Sequence, residues 1–151
     1  MHEDGWVIPG CPVNGPSLDA HGETIAAVWF TAEGDSPRVL SAISTNGGDS
    51  FSSPIRLDGG RPLGRVDIEA LSDGRFAIVW LEDASDRAHL MLTRMDRSGN
   101  ASSAISIGET GNGRSSGFPR MTSAGDDVYV TYVDTASDEE SVIRTLRISA
   151  Q

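Results

Sequence analysis

The chain contains no lysine: its twelve basic residues are all arginine, set against 22 Asp and Glu, for a net charge of −10. A surface this acidic argues against nucleic acid and anionic membranes as partners, because like charge repels. There is one cysteine, Cys11, so no intrachain disulfide can form, and the count says little about compartment. His2, His21 and His89 are scattered along the chain, which removes metal-site spacing, and neither a metal nor a cofactor is expected. No apolar run approaches membrane-spanning length, and the first residues lack a basic stretch leading into an apolar one, so a soluble chain is expected. Apolar spacing of three and four residues is also missing, which leaves almost no room for helices.

What remains is a set of short apolar runs among 17 glycines. Trp29, Trp80 and Tyr132 each close such a run and stand 51 and 52 residues apart, while Gly22, Gly74 and Gly125 follow at 52 and 51. A period near fifty residues built from strand-like runs is the mark of β-propeller blades. The expected fold is therefore all-β, with blades of four antiparallel strands and about three blades in the chain.

Aligned on the aromatic positions, second strands fall at 24–30, 75–81 and 127–133, preceded by first strands at 17–20, 66–71 and 120–123. Third strands follow at 38–44, 88–94 and 142–148, and fourth strands at 54–57 and 104–107. One repeat domain over residues 1–151 thus divides into blades at 16–57, 65–107 and 118–148, the last without a fourth strand. Residues 6–9, Trp6-Val7-Ile8-Pro9, read as that strand displaced to the N-terminus. Three blades cannot close a ring without bare edges, so a homodimer with a six-bladed ring is expected, each copy lending 6–9 to the other.

Between the third and fourth strands of the first unit lies Ser44-Thr45-Asn46-Gly47-Gly48-Asp49-Ser50-Phe51. It resembles the Asp-box of bacterial neuraminidase repeats, Ser-x-Asp-x-Gly-x-x-Trp, with Asn46 for Asp and Phe51 for Trp. Ser44, Asn46, Gly48 and Phe51 would be its structural residues: the Asn side chain bonds amides of its own turn, and the ring wedges into the fold. Asp96-Arg97-Ser98-Gly99 is a decayed second copy. The resemblance implies a sialidase-like propeller, secreted or periplasmic by analogy, but not the sialidase reaction, since such boxes lie on the rim opposite the active site.

In a propeller the connections into first strands and those between second and third strands share one face, where ligands bind on loops held by rigid strands. That face would carry Asn14, Arg61, Arg65, Asp67, Glu82, Arg114, Arg120 and Asp134. The resemblance implies an arginine clamp on a substrate carboxylate, and a forked clamp suits an anionic sugar. Pairing of the same arginines with loop carboxylates is the competing reading. Sialidases use a Tyr nucleophile, yet Tyr129 and Tyr132 sit in a strand run and read as interior packing. Cys11, on a rim loop, reads as a packed thiol. No complete catalytic set is visible. The leading expectation is a binding or scaffold module for a glycan, an anionic small molecule or a protein; the alternative is an exo-sialidase-like glycoside hydrolase completed on assembly.

Overall fold

In a computed structural model, which describes residues 2–8, 13–137 and 140–149, the chain is built almost wholly of antiparallel strands. The first sheet comprises β1 (Ser17–His21), β2 (Thr24–Thr31), β3 (Arg38–Ser44) and β4 (Ile55–Arg56), hydrogen-bonded in that order. The second comprises β5 (Pro62–Ala70), β6 (Phe76–Asp83), β7 (Ala88–Met95) and β8 (Ile105–Thr110). Among the described residues the third has three strands, β9 (Arg120–Ala124), β10 (Asp127–Ser137) and β11 (Glu140–Ser149). Two 3-10 turns, Glu33–Asp35 and Arg114–Ser116, are the only helical pieces described.

The strands β2 and β6 read as continuous apolar runs because both of their faces are covered or nearly so. One core cluster joins the first two sheets, with Val28, Val39 and Ile43 against Ile68, Ile78 and Trp80. A second joins the next pair, with Val79, Leu90 and Leu92 against Val128, Val130 and Tyr132. Each sheet therefore has a leading face toward the sheet before it and a trailing face toward the sheet after it. The middle sheet is buried on both; Trp80 fills its leading face at 0% exposure.

The pairing registers bear out the internal repeat. Ser17 faces Val28, Asp67 faces Val79 and Arg120 faces Thr131, in each case the residue just before Trp29, Trp80 or Tyr132. The same three-strand core thus recurs with the same register, which is the all-β blade architecture expected of the period.

The strand expected at 6–9 is one lent to a second copy; within a single chain residues 6–8 form no strand, and Pro9 lies outside the described residues. Trp6 instead meets Phe30 edge-on, with ring centroids 5.5 Å apart at 77°. The second sheet stands between the first and the third, so a segment tethered to β1 reaches Phe30 long before β11. The acidic segments after the second strands are also less loop-like than expected, since Glu82 and Asp83 belong to β6 and Asp134 belongs to β10. Finally, β5 begins at Pro62, so Arg65 lies inside a strand rather than ahead of one.

Candidate functional site

The inner strands β1, β5 and β9 are edges of separate sheets, so their outward N–H groups have no ladder partner and must be bonded otherwise. Carboxylates supply those bonds. Asp19 Oδ2 accepts from Ala70 N at 2.7 Å, and Glu69 Oε1 accepts from Ser123 N at 2.7 Å. Asp19 and Glu69 hold equivalent places in their blades, each opposite the alanine three residues before the repeat tryptophan. One position earlier in the alternation, Asp67 Oδ2 accepts from Met121 N at 2.8 Å, while its Oδ1 takes the Ser17 hydroxyl at 2.9 Å and Arg120 Nη1 at 3.3 Å. Ser17, Asp67 and Arg120 therefore form a hydrogen-bonded row across all three inner strands. Asp67 is buried, whereas the Arg120 side chain is 69% exposed.

Arg65 is placed by a bulge. The β5–β6 register shifts on either side of Gly64, and both Gly64 and Arg65 have positive φ, +78° and +57°. A bulge bends the strand and re-aims a side chain. Gly64 is required there: a Cβ would sit 2.8 Å from both Asn14 and the Phe30 ring. Asn14 Oδ1 accepts from Arg65 N at 2.9 Å, and Asn14 Nδ2 donates to Leu63 O at 3.3 Å, so one amide side chain closes both sides of the bulge. The guanidinium then crosses to the turn before β9, donating to Gly113 O at 2.8 Å and to the buried Ser116 hydroxyl. No carboxylate pairs with it among the described residues, and burial pulls it below the ordinary arginine pKa.

The other expected site residues are committed elsewhere. Arg61 Nη2 pairs with Asp83 Oδ2 at 2.5 Å. Glu82 accepts from Trp80 Nε1 at 3.1 Å and from the backbone N–H groups of Gly59 at 3.3 Å and Arg61 at 3.4 Å. Asp134, 6% exposed, lies between Arg144 Nε at 2.6 Å and Arg87 Nη2 at 3.3 Å, and the Arg144 hydrogen bond holds its carboxyl below the usual range. Arg114 is exposed at the start of the turn that Arg65 grips, with no ion pair among the described residues. The structure thus brings Asn14 to Arg65, Arg120 to Asp67, and Arg61 to Glu82 and Asp83, while Asp134 stands apart with Arg87 and Arg144.

Both loops between third and fourth strands are closed by a side chain. Asn46 Oδ1 accepts from Ser50 N at 3.1 Å, the Ser44 hydroxyl donates to Asn46 Oδ1 at 2.9 Å, and Gly48 N donates to Ser44 Oγ at 2.9 Å. In the second unit Asp96 Oδ1 accepts from Asn100 N at 2.9 Å and Ser98 N at 2.8 Å. The supposedly decayed copy keeps the bond from residue i to the amide of i+4. Tyr132 is 6% exposed, and burial pushes its phenol up from the ordinary tyrosine value. Tyr129 is half-buried on the trailing face of the third sheet. Cys11 lies outside the described residues, and no cluster of potential metal ligands occurs among those described.

Sequence reasoning missed Ser17, Ser116, Arg87 and Arg144. Ser17 alone had a signal, since it stands at the repeat position of Asp67 and Arg120.

No protein-family model matches the chain, and no curated protein matches it. Solved structures do. One described as Bacteroides ovatus Xyloglucan PUL GH43B superposes with a TM-score of 0.57 at 19% identity, covering 88% of this chain and 26% of its own. A xylan β-1,4-xylosidase from Bacillus halodurans C-125 gives 0.54 at 15% identity, covering 88% and 27%. The fold is β-propeller-like. Both neighbours are propeller proteins, and neither is described as a sialidase, so the likeness does not extend to the Asp-box family. The chain spans about a quarter of the length of either structure. No helix of the described residues is long and apolar enough to cross a membrane.

Proposed function

We propose that the chain is a glycan-binding part of a propeller, recognising an acidic sugar through Arg65 and lacking hydrolytic activity by itself. The observation that carries this reading is the partly buried Arg65 guanidinium, which has no carboxylate partner among the described residues. Desolvating a cation costs free energy unless an anion compensates it, and a guanidinium fork pairs bidentately with a sugar carboxylate. The rim carboxylates, by contrast, are spent. Asp67, Asp83 and Asp134 are each paired with arginine, and Glu82 accepts three N–H groups. Among these rim carboxylates that leaves no pair free for the acid and base work of a glycosidase, which needs two carboxyls about 5–9 Å apart. The names of the structural neighbours, xyloglucan and xylan, direct the choice of ligand toward plant-type polysaccharides.

The test is calorimetric titration with glucuronic-acid-bearing xylan, polygalacturonate, neutral xylan, xyloglucan and sialyllactose, alongside an assay for released reducing ends. Binding is expected for an acidic glycan only, with no release, and Arg65→Ala should abolish it while the fold stays intact. Equal binding of neutral and acidic glycans, or binding that survives Arg65→Ala, overturns the reading.

A second reading, hydrolysis completed on assembly, draws on one cleft. Asp58, Glu82, Asp83 and His89 line a space of about 420 Å³ between the end of the first blade and the second. Asp58 accepts from Val39 N at 2.8 Å and pairs with Arg56. Reducing ends released by the wild type and lost in Glu82→Gln would favour hydrolysis instead.

A further inference from the structure

Repeat-equivalent positions give opposite exposures at the two ends of the chain. Ile68, on the leading face of the second sheet, is 5% exposed, while its counterpart Leu18 on the first is 65% exposed. On the trailing side, Val39 and Leu90 are both 0% exposed, and their counterpart Ile143 is 70% exposed. The equivalences follow from register: Val39 pairs with Phe30, Leu90 with Leu81 and Ile143 with Val133, each the residue after the repeat aromatic. At these positions side chains that are core inside the chain are exposed at its ends, and exposing large apolar side chains together marks an interaction surface.

We infer that the trailing face of the third blade packs on the leading face of the first blade of a second copy, so that two chains close one ring. The two faces are the complementary halves of an interface the chain already makes twice internally. A groove of about 430 Å³ lined by Arg120, Tyr129, Thr131 and Thr145 runs along the bare trailing face. In the internal interfaces the residues seated at this place are Ile68 and Trp80 from the next blade; from a second copy they are Leu18 and Trp29. A head-to-tail contact of this kind yields a ring when its rotation closes.

The polar row carries the same pattern. Ser17 donates to Asp67, and Asp67 also accepts from Arg120, whose side chain is 69% exposed at the trailing end. Across the seam, Arg120 of one copy faces Ser17 of the other, whose hydroxyl oxygen has lone pairs left to accept. The row then runs Ser17, Asp67, Arg120 and on into the second copy without a break. The loops that flank the axis then come from both copies. This inference is independent of whether Arg65 binds an acidic glycan.

The test is solution mass by light scattering and sedimentation on serial dilution of the full chain. Twice the 16.0 kDa chain mass is expected. Leu18→Glu and Ile143→Arg should each shift the protein toward monomer with the circular dichroism spectrum unchanged. Mixing the two variants should recover a dimer, since one seam is then unaltered and the other pairs Glu with Arg. Ile105→Arg, an exposed position on β8, should leave the mass alone. A wild type at single-chain mass overturns the inference, as does an open ladder of masses, or end-face variants that leave the dimer intact.

Discussion

Asp67 Oδ2 accepts the backbone N–H of Met121 at 2.8 Å, so a side chain of one inner strand supplies what a neighbouring carbonyl would supply within a sheet. With Ser17 and Arg120 on the other oxygen, this one buried carboxylate ties three blades together.

Asp67→Ala should therefore be among the most destabilising single changes in the chain. It leaves Met121 N without its acceptor and Arg120 without its counter-charge, for an expected loss of about 3 kcal/mol. Asp67→Asn, which keeps an acceptor oxygen, should cost clearly less. Urea unfolding curves measure both, and equal losses for the two variants would contradict the assignment.

Gly64→Ala combines a positive φ with overlap against Asn14 and Phe30. A loss of roughly 2–4 kcal/mol is expected from strain and overpacking together. Gly22, at φ +62° with nothing within 4 Å of its would-be Cβ, is the control. Gly22→Ala should cost about 1 kcal/mol, the left-handed backbone penalty alone. The difference in denaturation midpoint separates overlap from strain.

Asp134 has a folded pKa below its unfolded one, with the Arg144 hydrogen bond as the largest cause. A depressed carboxylate contributes stability that is fully present above its unfolded pKa, about 3.9, and is lost as pH falls through the folded value. The wild type should lose melting temperature between about pH 5 and about pH 2 more steeply than Asp134→Asn, which has no proton to take up there. Parallel thermal scans decide it, and identical slopes would remove Asp134 from the acid response.

The paired loops predict their own substitutions. Asn46→Asp keeps the oxygen that accepts from Ser50 N and should be close to neutral, whereas Asn46→Ala and Asp96→Ala should each cost at least about 1 kcal/mol through the lost turn bonds. Differential scanning calorimetry on the three variants would show whether the two loops, despite unequal sequences, carry equal weight.

Much of the fold was legible because the period is written in the side chains that pack between blades. Trp29, Trp80 and Tyr132 recur at one register position, and a residue's own bulk reports that it fills a repeated space. The Asn46 turn was legible for a similar reason, since its bonds span only four residues. The site was less so. Arg65 reaches Gly113 and Ser116 across about fifty residues of chain and depends on a bulge that only the folded pairing reveals. The other rim arginines were recognisable as cations on that face, but which carboxylate each would meet is settled by ångström-scale distances that residue type does not encode. Trp6 of the N-terminal segment meets Phe30 edge-on, a contact between residues distant in sequence that residue type alone does not announce.

The carboxylates of Asp19 and Glu69 reach forward in every case, each to an amide of the following blade. During synthesis from the N-terminus, the acceptor is consequently made before the donor it will hold. Each finished blade presents a fixed negative mark at which the next inner strand must stop. A slip of one residue would set a carbonyl oxygen against that mark in place of an N–H, so the native register is the one these two carboxylates favour. Both contacts run in one direction, from a blade to the one after it.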